Sequence, residues 1–133
     1  CRRQWSLTDN PDLRYAGLNE FDRAMVDLLK VERTLTKGPN LLWIHEDDKV
    51  IAYERGNLVF VFNFHPHKSF DGYQLPMPKA GKYKAVLSSD DALFGGHSRV
   101  DTQYVYTSEN QEDGRMGFKC YLPSRCAMVF KRK

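Results

Sequence analysis

Val50-Ile51-Ala52-Tyr53-Glu54-Arg55-Gly56-Asn57-Leu58-Val59-Phe60-Val61-Phe62-Asn63-Phe64 decides the fold. Two runs rich in β-branched and aromatic residues flank Arg55-Gly56, a connection too short for anything but antiparallel neighbours. Leu58 to Phe62 is apolar on both faces, which predicts a central strand covered on both sides. Upstream, Leu42-Trp43-Ile44-His45 reads as another strand, turned back by Glu46-Asp47-Asp48. Downstream, the polar stretch from His65 to Ala80 holds three prolines and reads as a long loop. Lys82 to Ser88 is the next strand, Asp90 to Arg99 a loop with Gly95-Gly96 at its tip, and Gln103 to Ser108 an edge strand. Asn110 to Gly114 is a turn. Phe118 to Leu122 and Ala127 to Lys131 read as a closing hairpin around Pro123-Ser124. About seven short strands joined this way predict an antiparallel β-sandwich.

The first third has another period. Asn10-Pro11-Asp12 is a helix-start signal, predicting a short helix from Pro11 to Ala16 that Gly17 interrupts. Leu18, Phe21, Met25, Leu28 and Leu29 then recur at helical spacing opposite Asn19, Glu20, Asp22, Arg23 and Asp27. Such an amphipathic helix of about three turns needs an apolar surface to lie on. It frays near Thr34-Leu35-Thr36 and breaks at Lys37-Gly38-Pro39-Asn40. The chain thus divides into a helical segment and linker, residues 1–39, and a mainly β domain, residues 40–133.

The 133 residues are one domain's worth of chain, and 41% hydrophobic and 28% charged residues exclude a disordered or collagen-like class. No apolar run approaches the roughly 20 residues of a membrane helix. A net charge of +3 falls short of the clustered basic stripe of a nucleic-acid binder. The basic clusters Arg2-Arg3 and Lys131-Arg132-Lys133 stand at the ends and read as solvated. Cys1, Cys120 and Cys126 have no CxxC spacing; Cys120 and Cys126 either face each other across the last turn or, the favoured reading, are reduced, partly buried thiols of a cytoplasmic protein. The opening CRRQWSLTDNPDLRY has no initiator Met and no signal core, so the chain is expected to be a piece of a longer protein.

No P-loop, GxGxxG, HExxH or GxSxG is present, and no cofactor motif stands out. His65-Pro66-His67 lacks a third ligand for a metal and reads as surface loop. Asp47-Asp48 and Asp90-Asp91 are adjacent acids that point apart into water, so they read as turn formers and not as a glycosidase pair. Of the eight Phe, seven Tyr and two Trp, Trp43, Tyr53, Phe60, Phe62, Phe64, Tyr83, Phe118 and Phe130 fall in strands and read as core. Phe70, Tyr73 and Phe94 fall in the loops, where rings either pin the loop down or stack on sugar faces beside hydroxyl-binding groups such as Asp71.

Several segments resemble a known family. Arg3-Gln4-Trp5-Ser6-Leu7, Asn10-Pro11-Asp12-Leu13-Arg14-Tyr15 and Leu18-Asn19-Glu20-Phe21-Asp22-Arg23-Ala24-Met25 are similar to the end of the catalytic barrel of 1,4-α-glucan branching enzymes. Val50-Ile51-Ala52-Tyr53-Glu54-Arg55 and the run from Leu58 to Pro66 resemble the first strands of their C-terminal domain. Ser69-Phe70-Asp71-Gly72-Tyr73, Gly81-Lys82-Tyr83-Lys84, Leu87-Ser88-Ser89-Asp90, Phe94-Gly95-Gly96-His97, Arg99-Val100 and Tyr121-Leu122-Pro123-Ser124-Arg125 continue the pattern.

That resemblance implies a three-part parent: a carbohydrate-binding module, a (β/α)8 barrel and a C-terminal β-sandwich of the α-amylase type. The parent would cut an α-1,4 linkage and rejoin the piece through an α-1,6 linkage in glycogen or starch synthesis. The implied mechanism is retaining, with an Asp nucleophile and a Glu acid–base on upstream barrel strands. No residue here inherits a catalytic role. The helix is expected to pack on the sandwich, with weak self-association as a hazard. The implied partners are the parent's own barrel and α-glucan, with no nucleic acid and no membrane. Phe70, Asp71, Tyr73 and Phe94 are the candidate glucan contacts. A purely structural domain and an independent carbohydrate-binding module starting near Asn40 are the alternatives.

Overall fold

The computed structural model describes residues 4–133. The readings of Cys1 and of Arg2-Arg3 therefore lie outside the described residues. Two helices, α1 (Ser6–Asp9) and α2 (Tyr15–Val31), precede eight strands: β1 (Pro39–His45), β2 (Val50–Arg55), β3 (Leu58–Asn63), β4 (Phe70–Pro76), β5 (Gly81–Ser88), β6 (Val105–Asn110), β7 (Met116–Leu122) and β8 (Cys126–Arg132). All paired strands run antiparallel, in the order β1-β2-β3-β8-β5-β6-β7-β4. The sheet folds over at β6, which pairs with β5 on one side and β7 on the other. This gives the expected antiparallel sandwich.

β3 is as central as its sequence requires, lying between β2 and β8. Val59 and Val61 point into the main core with Val50, Ala52, Tyr83, Met128 and Phe130, against Leu75, Phe118, Cys120 and Leu122 of the second layer. Leu58 and Phe60 point outward, and with Leu87 and Val129 form a second cluster. Phe21, Met25, Leu28 and Leu29 of α2 cover it, so the apolar stripe packs on the sandwich as predicted. Leu18, at the helix start, stays exposed. Glu32 and Lys131 pin the far end of α2 to β8 at 2.6 Å.

Several expectations change. The Asn10 signal starts no helix: its Oδ1 accepts from Asp12 N–H at 3.0 Å, closing a turn between α1 and α2. Gly17 does not interrupt α2 but lies within it. A Cβ there would stand 2.6 Å from the carbonyl oxygen of Phe94, so glycine lets the helix and the 90–99 loop touch backbone to backbone. The loop read from His65 to Ala80 contains β4, which pairs with β7. Its apolar alternation is hidden by an irregularity between Phe70 and Tyr73, where Gly72 takes φ +65°. The region read as an edge, Gln103 to Ser108, holds the start of β6, an interior strand; the edges are β1 and β4.

The closing pair is no hairpin. β7 pairs with β4 and β6, whereas β8 inserts between β3 and β5. Burial decides this: Met128 and Phe130 serve the main core while Val129 serves the outer cluster, so β8 needs cover on both faces. The buried Asn63 amide anchors the crossing by donating to the carbonyls of Lys68, Leu122 and Pro123. Cys120 and Cys126 are both buried and unpaired. The C-terminal basic cluster is not a loose end either, since β8 extends through Arg132 and Lys131 is ion-paired.

Candidate functional site

Phe70, Asp71 and Tyr73 come together on β4, while Phe94 lies in a different cluster. Phe70 and Tyr73 are half-buried, their centroids 4.8 Å apart, and Lys68 Nζ lies 4.8 Å from the Phe70 ring. Asp71 is exposed and borders a shallow cleft of about 350 Å³ shared with Tyr104, Lys119 and Tyr121. Phe94 sits in the 3-10 turn Ala92–Phe94 and meets Phe21 of α2 edge-on at 5.3 Å. Its ring holds the helix to the sandwich, and it also borders a groove of about 300 Å³ with Lys84, Val86, Thr102 and Gln103.

The 90–99 loop owes its shape to Asp90, which is not the solvated turn former its sequence suggests. It is 5% exposed, and its carboxylate accepts from the backbone N–H of His97 and Arg99 and from the Arg99 guanidinium, the shortest contact being 2.7 Å. Burial pushes this carboxyl up, but the Arg99 side chain and the two backbone donors outweigh it and hold it below its ordinary value. The Asp90 carbonyl accepts from Ser98 N–H at 2.6 Å. Asp91 behaves as expected, its Oδ1 capping Leu93 N–H at 2.9 Å.

The two sheet edges meet through side chains. Trp43 Nε1 on β1 donates to Tyr73 Oη on β4 at 3.0 Å, and Tyr73 Oη donates to Asp48 Oδ2 at 3.1 Å. Asp48 is thus a structural acceptor, with Lys68 Nζ 3.6 Å from its other oxygen. His45 Nδ1 stands 3.1 Å from the Asp48 backbone nitrogen and 3.2 Å from its Oδ2, which ties the residue to this turn. His65 Nδ1 accepts from the backbone N–H of His67 and Lys68 and so shapes its own loop.

At this seam lies a cleft of about 210 Å³, bordered by Trp43, Asp48, Tyr73, Gln74, Asp113 and Arg115 among others. The Arg115 guanidinium covers the Trp43 ring at 4.3 Å and pairs with Asp113 at 3.1 Å. Among the described residues the buried Gln74 Nε2 has no hydrogen-bond partner. Sequence reading passed over this cleft because Trp43 counted as core from its strand; it does pack, partly buried, against the main core, but it also borders the cleft. The register shift between Leu41 and Trp43 on an edge strand is what turns the indole to the seam. Phe64, also read as core, is 64% exposed.

The domain matches a known class. The family described as alpha amylase, C-terminal all-beta domain, matches residues 43–133, and the chain belongs to it. Over nearly its whole length the chain is also similar to proteins named 1,4-alpha-glucan-branching enzyme. It is 45% identical to that of Saccharomyces cerevisiae, with 100% of this chain and 19% of the relative covered. It is 43% identical to that of Rhizophagus irregularis, covering 97% and 19%. With the chloroplastic/amyloplastic enzyme of Oryza sativa it shares 50%, covering 99% and 17%. The chain therefore spans about one-fifth of the length of these relatives. The likeness read from the sequence, to the C-terminal segment of branching enzymes, is borne out.

Proposed function

We propose that this chain is the C-terminal β domain of a 1,4-α-glucan branching enzyme, where it braces the catalytic barrel and offers a surface to α-glucan. The parent would transfer α-1,4-linked segments to α-1,6 positions of glycogen or starch. On this reading residues 1–39 are the barrel's end and linker, residues 40–133 the sandwich, and the catalytic Asp and Glu lie upstream. The observation that carries the bracing role is an apolar row on the outer face of the sheet that α2 leaves open. Ile44 pairs with Ile51 and Ile51 with Phe62, and Phe62 stacks on Phe64 at 5.6 Å. Ile44 and Phe64 are 57% and 64% exposed. A row of this kind marks a contact surface. The relatives are about five times as long as this chain, and on this reading the rest of such a protein covers the row.

The proposed glucan contacts are Phe70, Asp71, Tyr73 and Phe94, each bordering an open cleft or stacked beside one. A domain that holds long chains away from the catalytic cleft raises their local concentration there. The reading extends to a cytoplasmic location, supported by the unpaired Cys120 and Cys126, although the rice relative is named chloroplastic/amyloplastic. Among the described residues no helix is long and apolar enough to cross a membrane. The isolated chain is proposed to be inactive and to self-associate weakly through the exposed start of α2; a concentration-independent monomer mass would remove the latter point. The test of bracing is Ile44→Asp with Phe64→Asp in the full-length protein that carries this segment. Branching activity and thermal stability should both fall. Unchanged activity and melting temperature would overturn it.

A further inference from the structure

We infer that the seam between β1 and β4 is a binding subsite for one ring or chain end of an α-1,4-glucan, built from the Trp43 indole and the unpartnered Gln74 amide; this rests on the glucan-contact reading above.

Three observations converge on the seam. The first is the orphaned donor. Gln74 Nε2 is buried without a partner, an arrangement that costs about 1–3 kcal/mol unless something binds it. Gln74 borders the cleft. A sugar hydroxyl, both donor and acceptor, supplies the missing acceptor without bringing a charge once the Gln74 amide, closed to solvent in the free chain, turns into the cleft it borders. The second is the aromatic platform. Trp43 is held by its Nε1 hydrogen bond to Tyr73, so its ring is fixed before any ligand arrives. The Arg115 guanidinium lies over that ring, on a side chain about half exposed and tethered only to the half-exposed Asp113. A flat, partly hydrophobic pyranose ring stacks on the indole in the same way, with Arg115 swinging aside to bond its hydroxyls. The third is the size. About 210 Å³ lies below the roughly 300–1,000 Å³ of clefts that enclose a drug-sized ligand, so the seam takes a ring or an end and not the length of a chain.

The cleft's charges argue against an ionic ligand. Asp48 and Asp113 face it beside Arg115, and each is already paired, with Lys68 and with Arg115. A neutral polyhydroxyl ring disturbs neither pair.

The experiment follows Trp43 emission in a Trp5→Phe chain titrated with maltoheptaose, with a β-1,4-linked oligosaccharide as control. A saturable change with the α-linked sugar alone supports the subsite. Gln74→Met removes the donor and breaks no hydrogen bond, so it should raise the melting temperature of the free chain, or at least not lower it, while weakening binding about three- to tenfold. Trp43→Ala, checked for folding by circular dichroism and titrated by calorimetry because it lacks the fluorescent reporter, should lose the maltoheptaose binding seen in the unmodified chain. If the chain is retarded by glycogen in a native gel but Trp43 emission does not respond, the subsite is wrong and the glucan-contact reading stands. Unchanged affinity in Gln74→Met overturns the donor role. If neither sugar nor glycogen binds the unmodified chain, both readings fall.

Discussion

Gly17→Ala sets two effects of opposite sign against each other. Within a helix, alanine is favoured over glycine by about 0.8–1.0 kcal/mol, so propensity alone predicts a more stable chain. The structure predicts the reverse. The new Cβ would lie 2.6 Å from the Phe94 carbonyl oxygen and 2.7 Å from its carbon, backbone atoms that cannot rotate away. Ordinary contact begins near 3.4 Å, so α2 or the 90–99 loop must retreat by most of an ångström. Such overpacking costs about 1–3 kcal/mol. The retreat also loosens the edge-on Phe21–Phe94 pair, worth about 0.5–1.5 kcal/mol. After the propensity gain of about 0.8–1.0 kcal/mol is subtracted, a net loss of about 0.5–3.5 kcal/mol remains. Urea unfolding followed by circular dichroism measures it, with Gly38→Ala as control, since nothing lies within 4 Å of that position. A stabilised Gly17→Ala chain would refute the claim that α2 is clamped by this loop.

Other perturbations probe the same architecture. Asp90→Asn should cost about 2–3 kcal/mol, below the roughly 3–5 of a fully buried pair because Arg99 keeps 34% of its side chain in water. Because the folded Asp90 carboxyl sits below its unfolded value of about 3.9, its contribution is complete above that pH and is lost as pH falls through it towards the folded value. The acid limb of the stability curve, from about pH 5 downward, should therefore be shallower in Asp90→Asn; an unchanged limb would contradict the assignment. Tyr73→Phe breaks the Trp43–Tyr73–Asp48 bridge and should lower stability by about 1–2 kcal/mol, with a change in near-ultraviolet circular dichroism. No change in either would mean the bridge holds nothing. Burial pushes the Cys120 thiol up to about 12, so its alkylation at pH 8 should proceed only as fast as the core opens, and rapid labelling would contradict its placement.

Much of the fold was legible because burial patterns are local. The β2–β3 hairpin and the two-sided β3 follow from residues adjacent in sequence. The α2 stripe found the surface it needs, because Leu58, Phe60 and Val129 leave an apolar face outside the main core. What was missed depends on partners distant in sequence. The Asp71-Gly72 irregularity hid β4, whose inward residues announce themselves only opposite β7. The closing pair looked like a hairpin because both runs alternate, yet the doubly covered Val129 belongs between β3 and β5. Asp90 looked like a solvated turn acid until Arg99 folded over it. Of the candidate contacts, Phe70, Asp71 and Tyr73 share β4, whereas the Phe94 ring is taken up by Phe21. The Trp43 cleft carried no sequence signal, since an edge-strand register shift is what exposes it.

The most direct test of the account is migration of the intact chain through a native gel containing glycogen, beside a protein that does not bind it. Retardation that soluble maltodextrin relieves is the predicted result, and it would mean that the sandwich meets glucan on its own. Unretarded migration of a chain that circular dichroism shows to be folded would contradict the glucan surface and leave the domain as a brace alone.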